Sequence, residues 1–175
     1  VPSELVIIND HYIDDKNKPA QIHTKVWPYL EKLLQAARAD GVELKIESSY
    51  RSFGIQSNVK SSYKVIYGAG TANQFSADQG YSEHQLGTTV DFTEPGLNPP
   101  LTGFNNTKAY QWLSLNAHQF GFILSYPKNN SYYQFEPWHW RFVGVQLATE
   151  LKKSDQYFYD LDQRQIDEYL INIFD

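Results

Sequence analysis

The apolar residues of this chain fall into short stretches of differing period, and the changes of period mark its elements. Leu5 to Ile8 is an unbroken apolar run of strand length, followed by a polar loop through Lys18. From Ile22 to Ala39 the residues Val26, Leu30, Leu33, Leu34 and Ala37 recur at helical spacing, and Gly41 stands where such a helix would end. Pro28 either belongs to the first turn of that helix or kinks it. Val42 to Glu47 alternates apolar and charged positions, the pattern of a half-buried strand. A second helix is predicted over Phe53 to Tyr67, ended by Gly68 and Gly70.

Thr71 to Gly87 is polar and has neither period, which predicts an ordered loop, and Thr88 to Phe92 reads as a strand. Gly96 to Asn106, with its glycines, prolines and asparagines, is a connection. A helix follows over Lys108 to Phe120, with Trp112, Leu115 and Gln119 near one stripe and Gly121 closing it. Phe122 to Tyr126 and His139 to Val143 are predicted strands, and Val145 to Lys153 and Gln163 to Phe174 are predicted amphipathic helices. Strands and helices do not alternate in a βαβ rhythm. The expected class is therefore α+β, with helices packed on an antiparallel sheet. No repeat, low-complexity tract or linker divides residues 1–175, which are expected to form a single domain.

Composition narrows the functional classes. The 175 residues suffice for one sizeable core. A formal net charge of -5 argues against nucleic acid as the main partner, since phosphate binding needs a basic face. With no cysteine, neither a disulfide framework nor a thiolate metal site is available. No apolar run reaches the roughly 18 residues of a membrane span, and no signal peptide is present. The chain also has no methionine, so a segment before Val1, a signal, an anchor or a trimmed cytoplasmic leader, is expected to be missing. Composition leaves the compartment open.

The candidate chemistry begins at FEPWHW, Phe135 to Trp140, where Glu136 and His139 lie in an aromatic run that would make both costly to bury unpaired. In GYSEHQLGTTVDF, His84 precedes Asp91 by seven residues, and Asp91 stands between Val90 and Phe92 inside a predicted strand. Two imidazoles and one carboxylate, His84, Asp91 and His139, make a tetrahedral zinc set with one position open. Glu136 is then placed to act as the base toward a zinc-activated water. Pro137 disfavours helix at Glu136, so this is not a helical HExxH site. Each spacing taken singly is weak, since an isolated Glu-x-x-His is more often an ion pair than a site. His11, His23 and His118 stand alone and read as surface or core histidines, and Glu83, Gln85, Asp14 and Asp15 as solvated surface. Trp138 and Trp140 read as core and pocket wall.

Four segments together resemble the LAS-type zinc peptidases. SEHQLGTTVDF resembles their Ser-x-His-x-x-Gly-x-Ala-x-Asp signature and EPWHWRFVG their Glu-x-x-His segment. SSYRSFGIQ is similar to their Ser-x-Tyr-Arg-Ser block, and FGFILSYP to the strand before the Glu-x-x-His loop. The nearest likeness is to the VanY-type D-alanyl-D-alanine carboxypeptidases and the LdcB-type L,D-carboxypeptidases of bacterial cell walls. The resemblance implies the LAS-peptidase (hedgehog-like) fold, zinc (Zn2+) held by His84, Asp91 and His139, and Glu136 as catalytic base. It also implies that Arg51 holds an anionic oxygen of substrate or transition state, and that Ser82, Gln56 and Trp138 belong to the substrate site. The implied partner is a peptidoglycan stem peptide, met outside the cytoplasmic membrane by a monomeric enzyme. Thr89 departs from the usual alanine, and Ser125 from an expected arginine, which puts that arginine's subsite contact in doubt. An endolysin-type endopeptidase and a non-catalytic, zinc-stabilised wall-binding module are the alternatives, the latter opposed by Glu136.

Overall fold

The computed structural model describes residue 2 and residues 4–67, 77–97 and 99–174. Its strands are β1 (Leu5–Ile7), β2 (Gln21–His23), β3 (Lys45–Ser48), β4 (Thr89–Thr93), β5 (Phe122–Leu124) and β6 (His139–Phe142). Its α-helices are α1 (Trp27–Ala39), α2 (Phe53–Tyr67), α3 (Lys108–Asn116), α4 (Val145–Ser154) and α5 (Gln163–Phe174). β1 and β2 form an antiparallel pair, and the main sheet has the order β3-β4-β6-β5, antiparallel throughout. The α+β expectation holds.

Period-two alternation gives this sheet two different faces. Ile46, Val90, Phe92, Phe122, Trp140 and Phe142 enter the main apolar core. Leu30, Leu33, Leu34 and Ala37 of α1 and Ala109, Trp112 and Leu113 of α3 belong to the same core. The residues between them on β4 and β6, Thr89, Asp91, His139 and Arg141, point to the opposite face. Register then pairs Asp91 with His139 and Thr89 with Arg141. A smaller apolar cluster joins Val143, Leu147, Ala148 and Leu151 to Ile123, Phe158, Leu161 and Tyr169.

Several predicted boundaries move. The helix expected from Ile22 begins only at Trp27, because Gln21–His23 is a strand in which Ile22 pairs with Val6. Pro28 opens that helix without kinking it, at a position where the missing N–H has no helical partner to lose. The helix expected to reach Phe120 ends at Asn116 and continues as a 3-10 turn over Ala117–Phe120. Leu101–Asn106, predicted as plain connection, is also a 3-10 helix. The predicted loop 71–87 contains a 3-10 turn at Glu83–Leu86. Its residues 71–76, and the predicted helix stops Gly68 and Gly70, lie outside the described residues.

Candidate active site

Three separate elements deliver the predicted ligands to one point. His84 lies in the 3-10 turn Glu83–Leu86, which ends on Gly87 in the left-handed region (φ 70°). Asp91 is central in β4, and His139 opens β6 directly opposite it. One ligand atom from each of the three lies within 4.8 Å of the others. All three residues are buried, at 1%, 8% and 4% exposure in chain order.

The hydrogen bonds fix which nitrogens face this point. His84 Nδ1 donates to the Ser49 carbonyl at 2.7 Å, which leaves Nε2 as the inward atom. That Nε2 is buried without a hydrogen-bond partner among the described residues, 3.2 Å from Asp91 Oδ2. His139 has the opposite arrangement. Its Nε2 donates to Glu83 Oε2 at 2.8 Å, while Nδ1 lies 3.1 Å from Asp91 Oδ1. Two nitrogens and a carboxylate oxygen converging on one point fit a tetrahedral zinc centre, and each imidazole has the outer hydrogen bond that such ligands use.

The electrostatics are those of charges brought together out of water. Burial and the nearby Arg51 guanidinium push His84 down to about 4. Burial also opposes a charged His139, but contacts with Asp91 and Glu83 outweigh it and push the imidazole up to about 10. Asp91 is held well below the usual carboxylate range, its burial outweighed by the two histidines. A cation at this point would satisfy the same carboxylate.

Glu136 Oε2 lies 3.6 Å from His139 Nδ1, beside the ligands and not among them. Two backbone bonds hold its segment: Glu136 N donates to the Tyr126 carbonyl at 3.1 Å, and His139 N to the Glu136 carbonyl at 3.1 Å. Burial pushes its carboxyl up to about 7, with the His139 contact pulling the other way. A carboxylate with a pKa near neutrality is matched to general-base work.

Arg51 reaches the same centre. Its Nη2 is 3.5 Å from Asp91 Oδ2 and its Nη1 donates to Gln56 Oε1 at 3.2 Å. Gln56, at 1% exposure, donates in turn to the Ala77 carbonyl at 2.9 Å, so it braces Arg51 from behind. Ser82 is buried at the head of the 3-10 turn, and Trp138 is partly buried against the main core. These two flank the ligands in the chain instead of joining the ion-pair cluster. Ser125, where an arginine was expected, is buried, its hydroxyl has no hydrogen-bond partner among the described residues, and its N–H donates to the His139 carbonyl at 3.3 Å.

Glu83 corrects the sequence reading. Expected as solvated surface, it is 5% exposed and bonded to His139, Arg141 and Tyr159. Burial opposes its charge, yet those partners outweigh it and hold the carboxyl well below the usual range. Tyr126 was likewise not singled out as a site residue, and its ring stacks on His139 at 4.5 Å and 18°. One signal was available: a histidine ligand needs an acceptor for its second nitrogen, and a carboxylate adjacent to a ligand motif is a candidate.

Comparison with known proteins identifies the family. The family model described as VanY, D-alanyl-D-alanine carboxypeptidase, matches residues 19–145. A D-alanyl-D-alanine carboxypeptidase of Enterococcus faecalis is 34% identical over 154 residues, covering 81% of this chain and 56% of that protein. The structure of the LdcB LD-carboxypeptidase superposes with a TM-score of 0.79 at 30% identity, covering 98% of this chain and 79% of that one. A mutant of the vancomycin-resistance D,D-pentapeptidase VanY, solved in complex with Zn(II), gives a TM-score of 0.72 at 31% identity, covering 94% and 93%. The chain spans little more than half the length of the curated relatives it matches. With a family model covering most of its length and the ligand geometry in place, this chain belongs to the VanY family of D-alanyl-D-alanine carboxypeptidases.

Proposed function

We propose that this protein is a zinc-dependent carboxypeptidase that removes the terminal D-alanine from peptidoglycan stem peptides. The observation that supports it most is the convergence of His84, Asp91 and His139 on one point with Glu136 beside it. In this reading the three residues hold Zn2+, as the VanY relative was solved with Zn(II). When bound, zinc supplies a Lewis acid that polarises the scissile carbonyl and acidifies a water. Glu136 accepts the proton of the attacking water and returns it to the leaving amine, a role suited to a carboxyl whose pKa burial has raised. Arg51, braced by Gln56, offers its planar guanidinium to an anionic oxygen, either the substrate carboxylate or the developing oxyanion. Ser82 and Trp138 border the peptide near the scissile bond.

The substrate lies outside the cytoplasmic membrane, so the enzyme acts there. It works as a monomer, with residues 1–175 as one catalytic unit. Among the described residues no helix is long and apolar enough to cross a membrane. An LD-carboxypeptidase and a D,D-pentapeptidase are both among the structural neighbours, and the reading takes D-alanine release from a tetrapeptide as the first activity and pentapeptide cleavage as the second. Incubation of the zinc-loaded protein with stem tetrapeptide and pentapeptide, followed by mass spectrometry, tests the reading. D-alanine release supports it, internal cleavage moves it to an endopeptidase, and no cleavage of either peptide overturns it.

A further inference from the structure

Glu83 is a buried carboxylate for which the hydrolysis described above has no use. It precedes the ligand His84 by one residue, but its side chain reaches across the sheet face to the other imidazole. Oε2 accepts from His139 Nε2 at 2.8 Å. Oε1 accepts from Arg141 Nη1 at 2.9 Å and from the Tyr159 hydroxyl at 2.7 Å. Arg141 comes from β6 two residues beyond His139, and its guanidinium lies over the Phe158 ring at 4.5 Å. Tyr159 belongs to the 3-10 turn Phe158–Asp160, outside the residues 19–145 that the family model matches.

We infer that Glu83 is a positioning residue that turns Nδ1 of His139 toward the metal, and that Arg141 and Tyr159 hold it in place. This rests on the zinc site proposed above. A neutral imidazole has one N–H and one lone pair. Both Glu83 oxygens meet donors, Arg141 and Tyr159 at one and His139 at the other, which places the imidazole N–H at Nε2 and leaves the Nδ1 lone pair for the metal. The stacked Tyr126 ring opposes rotation of the imidazole. If Glu83 served only to neutralise Arg141, neither oxygen would need to meet the imidazole. Here one oxygen takes Arg141 and Tyr159 together, and the other is given to His139. The segment between α4 and α5 thereby reaches the proposed metal site through the Tyr159 hydroxyl, with the Phe158 ring against Arg141 and the Tyr159 ring against Tyr126 beside it.

Glu83→Gln and Tyr159→Phe test this. The glutamine has one acceptor oxygen and an amide NH2. If that oxygen stays with Arg141 and Tyr159, the NH2 faces His139 Nε2 and drives the imidazole proton to Nδ1. Zinc affinity would be measured by chelator competition, and the imidazole N–H resonances of the zinc-loaded proteins by nitrogen-15-edited NMR. Loss of an outer-shell partner typically costs roughly 10- to 100-fold in metal affinity, the range expected for Glu83→Gln. Tyr159→Phe, which keeps the packed ring, should weaken zinc several-fold and shift the His139 Nε2–H resonance. Folded Glu83→Gln with the parent's affinity and resonance overturns the inference. If Glu83→Gln does not fold, Tyr159→Phe decides by the same two readouts. A parent protein that binds no zinc overturns the zinc site itself, which separates the two failures.

Discussion

At the scale of single residues, the proposed metal site follows from where each hydrogen bond leaves a lone pair. His84 offers Nε2 because its Nδ1–H donates to the Ser49 carbonyl. His84→Ala removes one of three protein ligands, so zinc content at equal total metal should fall sharply. Full occupancy and full activity in that variant would mean that the site has been misassigned. Arg51→Ala separates two roles. If Arg51 holds the terminal carboxylate, the variant should lose mainly on free-acid peptides, and amidated peptides should be poor substrates of the parent. If it steadies the oxyanion, turnover should fall for every substrate, and Arg51→Lys should rescue little because lysine lacks the planar fork. An unchanged rate would return Arg51 to a structural role. The convergence of His84, Asp91, His139 and Glu136 was legible in the sequence because their residue types and motif contexts are distinctive. Glu83 was not, because a charged residue in a polar segment looks solvated until its partners, 58 and 76 residues away, are known.

At the scale of elements, alternation along β4 and β6 does most of the positioning. Val90, Phe92, Trp140 and Phe142 anchor one face in the core, which forces Asp91, His139 and Arg141 onto the other. This was legible for β4, where a lone aspartate between apolar neighbours stands out. β2 was missed because three residues are too few to display a period and Ile22 fits a helical register equally well. The helices α2 and α5 match their predicted ranges, since a long periodic stretch leaves little choice. Gly121 was legible as a stop and proves more constrained than that. It sits at φ 83°, and a Cβ there would lie 2.6 Å from the Phe142 ring and 3.0 Å from backbone atoms of Gly144 and Val145. Gly121→Ala should therefore lower stability by about 2 kcal/mol or more, from the left-handed conformation plus the clash. Thermal unfolding of the folded variant checks this, and an unchanged midpoint would show that the turn can relax.

At the scale of the whole molecule, an antiparallel sheet with one apolar and one polar face carries the site on its polar side. The sequence reading reached this class because elements failed to alternate as βαβ units. It did not reach the sheet order β3-β4-β6-β5, which depends on pairings far apart in the chain. Substrate choice belongs to this scale, since the side chains around the candidate site come from several elements. The exposed Tyr132 and Tyr133 stand beside the Tyr126 and Tyr159 rings, a wall suited to a long aliphatic side chain. Tetrapeptide should thus lose D-alanine faster than pentapeptide, and release from pentapeptide alone would refute that preference while leaving the zinc mechanism intact. In the proposed mechanism a zinc site with Glu136 as its base hydrolyses the stem peptide. The decisive measurement is D-alanine release alongside bound zinc in the parent and in Glu136→Ala. The mechanism predicts equal zinc in both proteins and a rate lower by about 100- to 10,000-fold in the variant. Equal zinc with turnover within a few-fold of the parent would contradict it.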